Sequence, residues 1–114
     1  MAIAVAATRQ AAADAIKALG AYIGLATGDP GTVATPANET SGGSYARVAT
    51  TWTSATGGVV NGSAVTINAP AGTFTHAFTA ALSTGNNMID KCTITSTTLS
   101  SAGQIIVTPT ITIT

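Results

Sequence analysis

Apolar and polar positions alternate along the last ten residues, with Ile106 the exception. Ile105, Val107, Pro109, Ile111 and Ile113 hold one parity, and Ile106, Thr108, Thr110, Thr112 and Thr114 hold the other. Successive side chains of a strand point to opposite faces, so this pattern predicts a half-buried antiparallel strand with one apolar and one threonine-rich face. Pro109 has no N–H to give to a ladder, which places that strand at a sheet edge or at a bulge. The same period of two runs through residues 45–53, where Ala46, Val48, Thr50 and Trp52 share one face and Tyr45, Arg47, Ala49 and Thr51 the other. It returns in residues 73–82, with Phe74, His76, Phe78 and Ala80 together. Shorter strands are expected at residues 21–27, 64–69 and 88–95, bounded by Gly, Pro and Asn turns at 28–31, 57–58, 61–62, 70–72 and 85–87.

One stretch follows a different period. Residues 8–19 are rich in alanine, the best helix former, and Ala12, Ala15, Ile16 and Leu19 form a stripe at i, i+3, i+4 and i+7. Thr8 is the expected N-cap and Gly20 the expected stop, with Ala2 to Ala7 offering no resistance to an earlier start. The fold expected is mainly β: an antiparallel β-sandwich or jelly-roll-like domain with one N-terminal α-helix. It is read as a single domain over residues 1–114, with a helical segment at 1–20 and the sandwich at 21–114. Residues 28–44, with two prolines and four glycines, are expected to form a long surface loop.

Composition narrows the function. Charged residues make up 7% of the chain, against about 25% in ordinary soluble domains. The formal net charge is zero, so copies would repel one another little. This suits a subunit of a large assembly. Arg9, Lys17, Arg47 and Lys91 are scattered, which argues against a nucleic-acid partner. The apolar run at residues 1–7 is far short of the roughly 20 residues that span a bilayer, so no membrane partner is expected. Cys92 is the only cysteine and has no intrachain partner.

The residue pattern carries no catalytic constellation. His76 is the only histidine, flanked in its strand by Phe74 and Phe78, and is read as a packed, hydrogen-bonded side chain. No Gly-x-Ser-x-Gly elbow or metal-ligand spacing accompanies it, so no enzyme activity, cofactor or metal is expected. Five residues remain as interface or loop-anchoring candidates: Asp29, Glu39, Tyr45, Arg47 and Trp52. Asp29 can close the turn at 28–31 with its side chain. Arg47 can pair with Glu39 or Asp29 and tie the long loop to the sheet, or serve with Tyr45 and Trp52 as an interface anchor.

The chain resembles a domain family of tail fibre and minor tail proteins of actinobacterial tailed phages. The matching residues are Tyr22 to Thr32, with their Gly-Asp-Pro-Gly turn, and Ala37 to Arg47, with Gly-Gly-Ser-Tyr-Ala-Arg. Trp52, Gly57-Gly58, Val65 to Thr73, Thr75-His76 and Ile106 to Thr114 continue the match, while residues 77–88 depart from it. The resemblance implies a virion structural protein on the outer surface of a capsid or tail. Its partners would be major capsid or tail proteins and copies of itself, a trimer being the implied form. The chain has no shaft or heptad repeat, which favours a compact capsid decoration or small minor tail subunit. The alternative is a tail-fibre-type adhesin that binds a host receptor or glycan, with Trp52 or Tyr45 stacking on a sugar ring.

Overall fold

The computed structural model describes residues 2–114 as one helix, α1 (Ala6–Lys17), followed by nine strands. These are β1 (Tyr22–Ala26), β2 (Val48–Ala49), β3 (Trp52–Ser54), β4 (Val59–Gly62), β5 (Val65–Ala69), β6 (Gly72–Ala80), β7 (Met88–Leu99), β8 (Gly103–Val107) and β9 (Thr110–Thr112). They form three antiparallel sheets with strand orders β2-β1-β6-β7, β3-β4-β9 and β5-β8. The four-stranded and two-stranded sheets pack face to face as a β-sandwich. Its core joins Ile23, Leu25, Phe74 and Ala77 of the first to Val65, Ile67, Ala69 and Ile105 of the second.

The C-terminal alternation holds, but as two strands rather than one. Odd positions from Ile105 to Ile113 are buried or half-buried and even ones are exposed. At Pro109 the ladder is interrupted, so β8 pairs with β5 and β9 with β4. The Pro109 carbonyl accepts from Gly62 N–H at 2.8 Å, which moves the chain from one sheet to the other. The expected strand at residues 45–53 is likewise divided into β2 and β3, in different sheets, and Arg47 precedes β2 rather than lying mid-strand.

Strand β6 corrects a second expectation. Phe74 and Phe78 do not share a face, and the β6–β7 ladder is irregular between Phe74 and His76. A bulge re-aims every later side chain. Phe74 enters the inter-sheet core, while Phe78, opposite Gly24, lies on the other face of its sheet. The ring fills the space a side chain at Gly24 would need: a Cβ there would stand 2.3 Å from Phe78 Cζ.

The helix starts two residues earlier than expected and docks by a different face. Val5 is the N-cap, with no side-chain cap bond, and Thr8 lies within the first turn. Ala13 is its buried residue, whereas Ala15 and Leu19 of the expected stripe are exposed. Polar side chains make the join. Gln10 Oε1 accepts from Gly58 N–H (2.9 Å) and Val59 N–H (3.1 Å), and its Nε2 donates to Val59 O at 3.0 Å. Arg9 Nε donates to Gly57 O at 2.8 Å, and Ser54 Oγ donates to Asp14. Four backbone groups from Gly57 to Val59, just before and at the start of β4, thus decide the docking face. Gln10→Ala strands these N–H groups and should cost about 2 kcal/mol. Urea unfolding checks this, with amide exchange quickening first at Gly58 and Val59.

Candidate functional site

The loop of residues 27–47 returns to the sheet at its midpoint. Ala26 and Glu39 form an isolated antiparallel bridge, Thr27 N–H donates to Asn38 O at 3.0 Å, and Thr40 N–H donates to Leu25 O at 3.1 Å. Asn38 takes φ 60 to make the reversal, a left-handed conformation asparagine tolerates. This places the Glu39 carboxylate beside Arg47.

Arg47 is 6% exposed and uses all five of its N–H donors within the chain. Nε donates to Glu39 Oε2 at 2.9 Å, and Nη2 to Glu39 Oε1 at 2.8 Å and to Gly85 O at 2.9 Å. Nη1 donates to Leu82 O at 3.0 Å and to Asn87 Oδ1 at 3.2 Å. The guanidinium lies over the Phe78 ring, 5.2 Å from its centroid. One side chain therefore fastens two loops, residues 27–47 and 81–87, over the outer face of the four-stranded sheet. Met88 N–H donates to Ala34 O at 3.0 Å and joins the loops directly. Their tips expose Val33 (67%) and Leu82 (62%) beside Thr32, Ser83, Thr84 and Asn86.

Tyr45 completes the clamp. Its hydroxyl donates to Glu39 Oε2 at 2.7 Å and accepts from Leu25 N–H at 3.2 Å. Burial, then the Glu39 carboxylate it bonds, push its ionisation far above the ordinary value of 10.0. A raised folded-state pKa gives stability that is complete below the unfolded value and lost as pH rises past it. The domain should therefore lose stability above about pH 10. Tyr45→Phe should flatten that limb and cost about 1–3 kcal/mol at neutral pH. Thermal melts from pH 7 to 11 test both.

The five sequence candidates separate. Tyr45, Arg47 and Glu39 meet in the clamp. Asp29 does not join them: its Oδ1 accepts from Gly31 N–H at 2.8 Å, closing the turn, and from Lys91 Nζ of β7. The Lys91 hydrogen bond, then that from Gly31, hold its carboxyl below the ordinary value of 3.8. Trp52 lies apart, half-buried against the core, with Nε1 donating to Gly20 O at 2.9 Å. The polar groups of Trp52 and Tyr45 are both engaged within the fold. His76 Nδ1 pairs with Thr75 Oγ1 at 2.8 Å. Among the described residues no cluster of three His, Cys, Asp or Glu could hold a metal ion, and no helix is long and apolar enough to cross a membrane. Sequence reading missed Phe78, Leu82, Gly85 and Asn87 in the clamp. Two of the contacts are backbone carbonyls, which leave no residue-type signal.

A second feature lies at the sandwich edge. Register places Cys92 opposite Ala77 and Asp90 opposite Thr79, on the sheet face that carries Ile23 and Leu25. The opposing layer does not cover this part of β7, and a groove of about 730 Å³ remains between β7 and residues 105–113.

Residues 3–114 match the family described as podophage GP4 fiber I protein gp80. No curated protein and no solved structure matches the chain. The family description carries no host group, so it does not bear on the actinobacterial element of the resemblance. With the match spanning the helix, the clamp loops and all nine strands, the chain belongs to the podophage GP4 fiber I protein gp80 family, a family of phage fibre proteins.

Proposed function

We propose that the chain is a non-enzymatic structural subunit of a phage particle, a compact accessory piece that binds other virion proteins and copies of itself on the outer surface of the tail or capsid. Membership of a phage fibre family supports the structural role. The observation that carries the rest is the internal use of the buried polar side chains, those of the clamp above all. No buried side-chain nitrogen or oxygen among the described residues lacks a partner, and Arg47 alone closes five bonds. Such a site rigidifies the loops and spends its own polar groups on holding them together. Co-sedimentation of the purified chain with isolated tails and with emptied capsids tests the reading. Binding to one of them is expected, and binding to neither would contradict it.

The adhesin alternative has one observation in its favour. The clamped loops present Val33 and Leu82 on a rigid support, as binding loops on β-sandwiches do. A double Val33→Asp, Leu82→Asp variant separates the two readings. It should lose adsorption to host cells if the loop tips bind a receptor, and keep it if they do not.

A further inference from the structure

We propose that helix α1 pairs antiparallel with α1 of a second copy of this chain, through the face it turns away from the sheets. The pairing rests on the structural reading above and gives copies a surface by which to join.

The helix is docked inside out. Its three charged residues all turn to the chain's own strands and loops. Arg9 bonds Gly57 O, and Asp14 and Lys17 share the Ser54 hydroxyl, to which Lys17 Nζ donates at 2.6 Å. Ala13, on that side, is its buried residue. The outward face holds Val5, Thr8, Ala12, Ala15 and Leu19, at steps of three and four residues that line them up along one side. Val5 is 61% exposed and Leu19 59%, with Thr8 and Ala15 exposed between them. A helix that faces water carries its charged residues outward, whereas this one shows an apolar face without charge.

The face is complementary to itself. Val5 and Leu19 each lie seven residues from Ala12, and the side chains between them on this face are small. With Ala12 of one copy against Ala12 of the other, antiparallel helices put Val5 of each copy against Leu19 of the other. The alanines let the two axes approach to about 8 Å. The helix ends are complementary in charge as well. Val5 supplies no side-chain cap and the first turn holds no acid, so the partial positive charge at the N-terminus is unanswered within the helix. An antiparallel copy sets its own C-terminal carbonyls beside it.

One helix pair about 21 Å long is a small interface of the weak class, so cross-linking captures it better than mass at equilibrium does. Ala12→Cys in a Cys92→Ser background should give a disulfide-linked dimer under mild oxidation at least about tenfold faster than Thr66→Cys, an exposed position on β5, in the same background. Adding Ala15→Arg to Ala12→Cys should bring the rate down to that of Thr66→Cys with an unchanged far-ultraviolet spectrum. Arg is a good helix former, and a nearby cation favours the reactive thiolate, so the slower rate reports lost contact. Equal rates for Ala12→Cys and Thr66→Cys would overturn the proposal. So would a dimer indifferent to Ala15→Arg. Co-sedimentation with tails and capsids separates this from the proposed function: a chain that binds particles but gives no specific cross-link overturns the pairing and leaves that function standing.

Discussion

Arg47→Ala should destabilise the domain by about 3 kcal/mol and lower its melting temperature by about 12 °C. The substitution removes five hydrogen bonds and the cation over Phe78, and it leaves the Glu39 carboxylate without its partner. Losing one half of a well-buried ion pair costs about 3–5 kcal/mol. The low end applies here because the Glu39 side chain keeps 23% exposure and water can solvate it. Arg47→Lys should recover less than half of the loss. An ammonium can satisfy the charge but cannot span Glu39 and the 81–87 carbonyls as a planar fork does. Differential scanning calorimetry measures the effect. Limited proteolysis gives a second readout, with cleavage appearing first in residues 28–44 and 82–86 of the variant while the sheets stay protected.

Truncating Phe74 should cost about as much or more, about 3–5 kcal/mol for Phe74→Ala, because the ring is fully buried between the two sheets. The sharper test uses milder changes. Phe74→Leu and Phe78→Leu should each cost roughly 1.5 kcal/mol or less, and the double variant should be additive within about 0.5 kcal/mol. The bulge after Phe74 puts the rings on opposite faces of one sheet, so they share no cavity. Had they shared a face, as simple alternation predicts, repacking would couple them. Phe78→Leu should instead couple to Arg47→Lys, since guanidinium and ring are stacked. Urea unfolding of the three single variants and the two doubles decides between the two geometries.

These two predictions also mark where sequence pattern stopped carrying information. Period-two alternation found the strands because half-burial writes itself into residue type, and the run from Ile105 to Thr114 keeps its parity through the break at Pro109. Alternation cannot register a bulge, since two extra residues on β7 leave no mark in the sequence of β6. The helix face was misread for a related reason. A stripe of alanine and leucine reads as the buried face by hydropathy, yet Arg9 and Gln10 bond the backbone of Gly57 to Val59 and Asp14 accepts from the Ser54 hydroxyl, which turns the polar face inward. In the clamp, the residue types Arg, Glu and Tyr were legible as anchors. Their joining of two loops was not, because Leu82 and Gly85 contribute carbonyl oxygens that every residue has.

Acid sensitivity should be modest and should map to the surface carboxylates. Asp29 is held low by the Lys91 and Gly31 hydrogen bonds, and Asp14 by those from Ser54 and Gln10. A lowered folded-state pKa gives stability that is present above the ordinary value of 3.8 and lost as pH falls through the folded value. Thermal melts below about pH 4 should therefore show a decline, and Asp29→Asn with Asp14→Asn should reduce its slope.

The central claim is that this chain is a structural part of a phage particle. The most direct measurement is mass spectrometry of gradient-purified particles of the encoding phage, paired with immunogold imaging by an antibody to the chain. The chain should co-purify with infectious particles through repeated gradients, and gold should decorate the particle surface at fixed positions. A chain abundant in the infected-cell lysate yet absent from purified particles, with no gold on them, would contradict it.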